Sequence, residues 1–216
     1  SVVGILNSAL ALGLAGLVGC QTIERPRDLP QAQLASFQRA SDFDTYRIGR
    51  VGILPVAGQG LSEADSVELQ EILFTEFASA TRMEIVMLNS QDLAEITLNE
   101  PHMKGVYTPD AVIGISKRFR LDGMLVATAI NRQVFPPQRL SLQVDLVSSE
   151  TGMAIWNGGV NLLGDNVEVV NGLEAFYGNG KPIADDSWTV SLLSPSQFSR
   201  FAAWQIAQDL EPKPKL

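Results

Sequence analysis

An α+β fold, a two-layer arrangement with a mixed sheet of about five strands and helices packed mainly on one face, is the class this sequence predicts. Three observations predict it. A continuous apolar run, Val51 to Val56, is followed by an amphipathic segment and a second short apolar run, which is a βαβ-like start. Three strand-like segments then follow one another between residues 123 and 162, joined by turn sequences, which is an antiparallel meander. A capped helix closes the chain.

Each element has its own signature. The Val51 to Val56 run is bounded by Arg50 and Gly58 and reads as a central strand buried on both faces. In the segment from Ser62 to Ala80, Val67, Leu69, Ile72, Leu73, Phe74 and Phe77 recur at helical spacing, with glutamates between them. Ser62 suits its N-cap, and Asp65 suits the positive end of the helix dipole. Met83 to Leu88 is the second strand, and a helical turn is expected at Gln91 to Ile96. Thr108-Pro109 is an N-cap followed by proline at the first helical position, and the helix it starts should reach Phe119.

The meander comprises Gly123 to Val134, Leu140 to Ser148 and Met153 to Leu162. Its middle strand alternates, with Leu140, Leu142, Val144 and Leu146 on one side and Ser141, Gln143 and Asp145 on the other. Phe135-Pro136-Pro137-Gln138 and Ser149-Glu150-Thr151-Gly152 are the hairpin turns. A short helix is expected near Val169 to Phe176, inside an otherwise irregular stretch from 164 to 187. Ser194-Pro195-Ser196-Gln197 starts the last helix, which runs to about Leu210. The expected order is strand, helix, strand, short helix, helix, three strands, helix. Residues 48–210 form one domain in this reading, and 211–216 a disordered tail.

Composition excludes several functions. There are 16 Lys plus Arg against 24 Asp plus Glu, a net charge of −8, so a phosphate backbone would be repelled and no nucleic-acid partner is expected. One cysteine and one histidine leave no plausible ligand set for zinc, and no metal or cofactor is expected. Gly58-Gln59-Gly60 lies between strand and helix, but Glu63 occupies the third glycine position of a dinucleotide fingerprint. A turn is the better reading. His102 has no nucleophile motif beside it, and Asp185-Asp186 is a solvated pair too small for a hard cation. No catalytic set emerges. Trp156 and Trp204 read as core, while Trp188 is the one tryptophan suited to meeting a partner.

The first 20 residues carry a separate signal. An apolar run from Ala9 ends in Leu17-Val18-Gly19-Cys20, and Cys20 is the chain's one cysteine. This resembles the lipobox of bacterial lipoproteins, whose four places are Leu, a small or aliphatic residue, Gly or Ala, and Cys. The resemblance implies a signal peptide over residues 1–19, acylation of Cys20, and a flexible tether from there to residue 47. One acyl chain holds only reversibly, whereas the three such lipoproteins carry would anchor the chain for good. Gln21, rather than Asp, implies the periplasmic face of an outer membrane. The first charge is Glu24, so the basic start of such a signal is expected upstream of Ser1. Two other readings stay open. An uncleaved span is disfavoured because the strictly apolar part falls short of ~20 residues and Asn7 and Ser8 interrupt it. A core helix is disfavoured because no polar face alternates with the apolar one.

A second resemblance rests on Arg50 to Val56, on Leu121-Asp122-Gly123-Met124-Leu125-Val126, and on the stretch from Asp145 through Thr151-Gly152 to Trp156. In these the chain is similar to a group of bacterial envelope domains with an anticodon-binding-domain-like fold. That group includes the curli-secretion lipoprotein, lipoprotein activators of penicillin-binding proteins, and the amino-terminal domain of the Tol propeller protein. The likeness spans about residues 48–162 and implies a scaffold, since relatives share no activity. The leading expectation is thus a membrane-anchored, non-catalytic adaptor that binds another envelope protein. An oligomeric secretion or assembly component is the alternative, and the oligomeric state is open. A small-ligand binder or enzyme with a pocket near residues 164–187 is the third.

Overall fold

The computed structural model describes residues 33–97, 108–177 and 194–210. Within them seven strands form one open mixed sheet with five α-helices. The strands are β1 (Ala35–Arg39), β2 (Arg50–Ile53), β3 (Ala57–Gly58), β4 (Glu84–Met87), β5 (Gly123–Gln133), β6 (Arg139–Ser148) and β7 (Ala154–Leu163). The helices are α1 (Glu63–Ala80), α2 (Ser90–Thr97), α3 (Pro109–Phe119), α4 (Val167–Tyr177) and α5 (Pro195–Ala207). The sheet runs β1-β7-β6-β5-β2-β4, with β3 pairing β5 off this path. β2 is parallel to both β4 and β5, while β5, β6, β7 and β1 are antiparallel in turn. The class follows the sequence reading, and the order does so with two strands, β1 and β3, and the helix α4 added.

The caps form where the sequence puts them. Ser62 Oγ accepts from the Asp65 N–H at 3.1 Å, Thr108 Oγ1 from Ala111 at 3.2 Å, and Ser194 Oγ from Gln197 at 3.4 Å. α3 ends on Arg120 in the left-handed region, at φ 54°. Two motif residues also acquire structural roles. The Asp122 carboxylate accepts from the N–H groups of Gly49 and Arg50 at 3.0 and 2.8 Å, fixing the start of β2 beside β5. Gly152 turns the β6–β7 hairpin at φ 67°, where a Cβ would come within 2.6 Å of Pro109 Cβ.

Strand alternation divides the apolar residues between two cores. On β5, Leu125, Ala127 and Ala129 join a large cluster with Leu69, Leu73 and Phe77 of α1, Leu173 of α4 and Phe198, Phe201 and Ile206 of α5. Met124 and Val126 face the other way, into a smaller cluster with Leu93 of α2 and Val112 and Ile115 of α3. Three helices therefore cover one face. α2 and α3 cover one corner of the other, over β2, β4 and the start of β5.

Three expectations are corrected. The tether does not extend to residue 47, because residues 33–47 include β1 and a 3-10 turn at Phe43–Thr45. An edge strand needs apolar side chains on one side only, and Ala35 and Phe37 alone make too short a pattern to read. Val67 is 45% exposed, while Gln70 and Glu76 of the same helix are buried. Gln70 Nε2 donates to the Ile53 and Leu88 carbonyls at 3.0 and 2.7 Å, where β2 and β4 diverge. Glu76 accepts from Arg200 Nε at 2.9 Å, pairing α1 with α5. Trp204, expected in the core, is half-buried against the rings of Phe176 and Phe201.

Candidate functional site

The side of β6 away from the large core, together with its neighbours on β5, β7 and β1, is a polar face. Register makes it a ladder. Gln38, Asn157 and Asp145 lie opposite one another in one row, which ends at Val126. Ser36, Gly159, Gln143 and Thr128 make the next, and Ser141 faces Asn161 beyond it. Apart from Val126, which is buried, these side chains are exposed or half-buried. No described element covers them.

The ladder is held by its own hydrogen bonds. Asp145 is its one charge. Its carboxylate accepts from Gln143 Nε2 at 3.2 Å and from Asn157 Nδ2. Ser141 Oγ donates to Asn161 Oδ1 at 2.6 Å. In the middle stands Gly159, where a Cβ would meet nothing nearer than Ser36 Oγ at 3.8 Å. The position has room for a side chain and lacks one, which leaves a shallow depression among amides. Beside the ladder, β1 presents an open edge. Ala40 N donates to Ile155 O, so by alternation Ser36 and Gln38 bond to β7 while the backbone groups of Ala35, Phe37 and Arg39 point outward.

The arrangement offers fixed donors and acceptors on a flat surface, the chemistry of recognition rather than of bond cleavage. Strand spacing and rise give it a footprint of about 14 × 14 Å between Cα positions. A surface of that size and polarity is smaller and more polar than an obligate interface between subunits.

A cavity of about 590 Å³ lies at the other end of the sheet, lined among others by Arg39, Phe43, Tyr46, Arg82, Leu146 and Asp209. Of its lining residues, Asp209 accepts from Trp156 Nε1 at 2.8 Å and Arg39 Nε at 2.9 Å, with the Arg39 guanidinium 5.0 Å from the Phe43 ring centroid. None of the residues lining this cavity belongs to the stretch 164–187 where a pocket was expected, and residues 178–187 of that stretch lie outside the described residues. Residues 167–177 form α4, whose Val169, Leu173 and Phe176 pack into the large core.

The other candidates fall as follows. Trp156 is 1% exposed between Phe37 and Phe77, with ring centroids at 6.1 and 6.3 Å. Gly58 lies in β3, where a Cβ would sit 2.7 Å from the Ala129 carbonyl oxygen, and Gly60 turns into α1. Cys20, His102, Asp185-Asp186 and Trp188 lie outside the described residues. Among the described residues there is no cluster of His, Cys, Asp and Glu suited to a metal, and no helix long and apolar enough to cross a membrane. The polar side of β6 was visible in its alternation. That it stays uncovered was not.

No family model and no curated protein matches the sequence. The fold is similar to several solved structures. PelC from Paraburkholderia phytofirmans, solved as a dodecamer, aligns with 7% identity and a TM-score of 0.48, covering 83% of this chain and 99% of PelC. The C-terminal domain of LpoB from Salmonella enterica aligns with 20% identity and a TM-score of 0.40, over 56% of this chain and 87% of that domain. Lipoprotein GNA1162 from Neisseria meningitidis gives 13%, 0.41, 53% and 80%. With every score below 0.5, no partner or activity is drawn from these likenesses.

Proposed function

We propose that this chain is a lipid-anchored envelope protein, held through acylated Cys20 at the periplasmic side of an outer membrane, and that it acts as a non-catalytic adaptor for another envelope protein. The lipobox Leu17-Val18-Gly19-Cys20 supplies the anchor in this reading. The observation that carries the adaptor role is the uncovered amide ladder of Gln38, Ser141, Gln143, Asp145, Asn157 and Asn161 around Gly159. Its modest area and polarity suit a partner that binds and releases.

A photo-crosslinking amino acid placed at Gln143 or Asn161 tests the face in living cells, with Glu71 on the exposed side of α1 as control. One adduct of defined mass is expected from both ladder positions and none from Glu71. Equal labelling from all three, or no adduct from the ladder, removes the adaptor reading. Intact-mass measurement of the native chain tests the anchor separately: a diacylglyceryl group on Cys20 and loss of residues 1–19 are expected.

A further inference from the structure

The β5–β6 hairpin ends in an apolar tip. Phe135 is 77% exposed, with Pro136 and Pro137 open beside it, and Ile130, 65% exposed, lies farther back on β5 where its register shifts between Ala129 and Asn131. Of the large hydrophobic side chains exposed among the described residues, Phe135 is the only aromatic one. In water such a tip is a standing cost. We propose that the tip dips into the headgroup layer of the membrane that carries Cys20, and so sets how the domain stands on that surface. The proposal rests on the lipid-anchored reading above.

Position supports it first. Ala35, the first residue of β1, lies opposite Val160, which lies opposite Leu142. The hairpin tip lies just beyond, since Gln133, Arg139 and Leu163 form the last row of the same sheet. A chain coming from Cys20 therefore joins the domain at the tip end. Even fully extended, the residues between Cys20 and Gln33 span no more than about 45 Å. The far end of the sheet is a further ~33 Å away, at the rise of a ten-residue strand.

The tip is also prepared for a poorly hydrated layer. Two prolines remove two N–H groups that would otherwise lose water. Gln133 Nε2 donates to the carbonyls of Phe135 and Pro137, at 3.2 and 2.8 Å, so two acceptors are already satisfied. The hairpin does not swing freely. The Arg132 guanidinium is gripped by Asp65 at 2.8 Å and Glu68 at 2.7 Å, which ties β5 to the first turns of α1. Asp165 and Glu168 flank the exposed Val167 nearby, so α4 is not part of the contact. With no basic cluster at the tip, the contact is apolar and should not respond to salt.

The test uses the full acylated chain in vesicles of phosphatidylethanolamine with brominated acyl chains. Phe135→Trp reports from the tip and Met153→Trp from the opposite end, where Met153 is 66% exposed. Neither site is packed, so both variants should fold. The Phe135→Trp chain is expected to lose emission relative to the parent with its three tryptophans, at low and high salt alike, and Met153→Trp is expected to lose none. A vesicle-bound, acylated chain whose tip tryptophan is unquenched, or quenched no more than Met153→Trp, overturns the tip contact and leaves the anchor standing. A chain without acyl mass overturns both. If the tip tryptophan is shielded in detergent micelles as protein concentration rises, the tip belongs to a second copy and the proposal fails.

Discussion

Gly158 and Gly159 are neighbours on β7 and face opposite ways. A Cβ on Gly158 would come within 2.5 Å of Trp156 Cη2 and 2.8 Å of Ile206 Cγ2, whereas one on Gly159 would make only ordinary contacts, with Ser36 Oγ at 3.8 Å and the Leu142 carbonyl oxygen at 3.9 Å. The first glycine lets α5 close on the sheet. The second flattens a surface that nothing described covers. The same division runs through β6, where Leu140, Leu142, Val144 and Leu146 are buried and Ser141, Gln143 and Asp145 face outward. A single strand thus has one packed side and one open side, because its side chains alternate. Substitutions one residue apart should therefore have unrelated consequences.

Trp156→Ala is expected to have the largest effect. It empties a fully buried site between Phe37 and Phe77 and takes the indole donor from Asp209, a loss of about 3–5 kcal/mol read as a fall in urea midpoint. Gly158→Ala should cost about 1–3 kcal/mol by overpacking the contact with Trp156 and Ile206. Gly159→Ala should stay within about 0.5 kcal/mol of the parent. If the two glycine variants prove equally destabilising, the division of the strand between a packed side and an open one is wrong. Gln143→Lys is expected to leave the midpoint similarly unmoved while weakening crosslinking from Asn161, since it places a new charge in the middle of the ladder.

The smallest effect concerns acid. The Ser62 hydroxyl hydrogen-bonded at 2.6 Å, together with the Arg132 guanidinium, holds the Asp65 carboxyl below its ordinary value. A carboxyl lowered in the folded state stabilises above its unfolded pKa, and that contribution is lost as pH falls through the folded value. The urea midpoint of the parent should therefore exceed that of Asp65→Asn at neutral pH, and the gap should narrow below about pH 4. Solvent screens this partly exposed pair, so the gap will be small. A gap that widens in acid would contradict the assignment.

Much of the fold was legible because its signals are local. Ser62, Thr108 and Ser194 announce their helices, and the alternation of residues 140–146 marks the middle strand of the meander. β1 was not legible, since an edge strand with one apolar side and two core contacts leaves no period to find. Glu76, one of the glutamates set between the apolar positions, is buried for a related reason, as is Gln70. Their burial depends on carbonyls and an arginine that no helical pattern reports.

The site divides in the same way. By itself the sequence determined the Leu17-Val18-Gly19-Cys20 pattern, the helix caps and which side of the middle strand is apolar, all properties of residues within a turn or two of one another. Tertiary structure alone decided that the ladder stays open, that Glu76 meets Arg200 at 124 positions' separation, and that Arg39 and Asp209, 170 apart, pair in the lining of a cavity. Coverage of a face depends on where distant helices return to the sheet, and local pattern carries no record of that path.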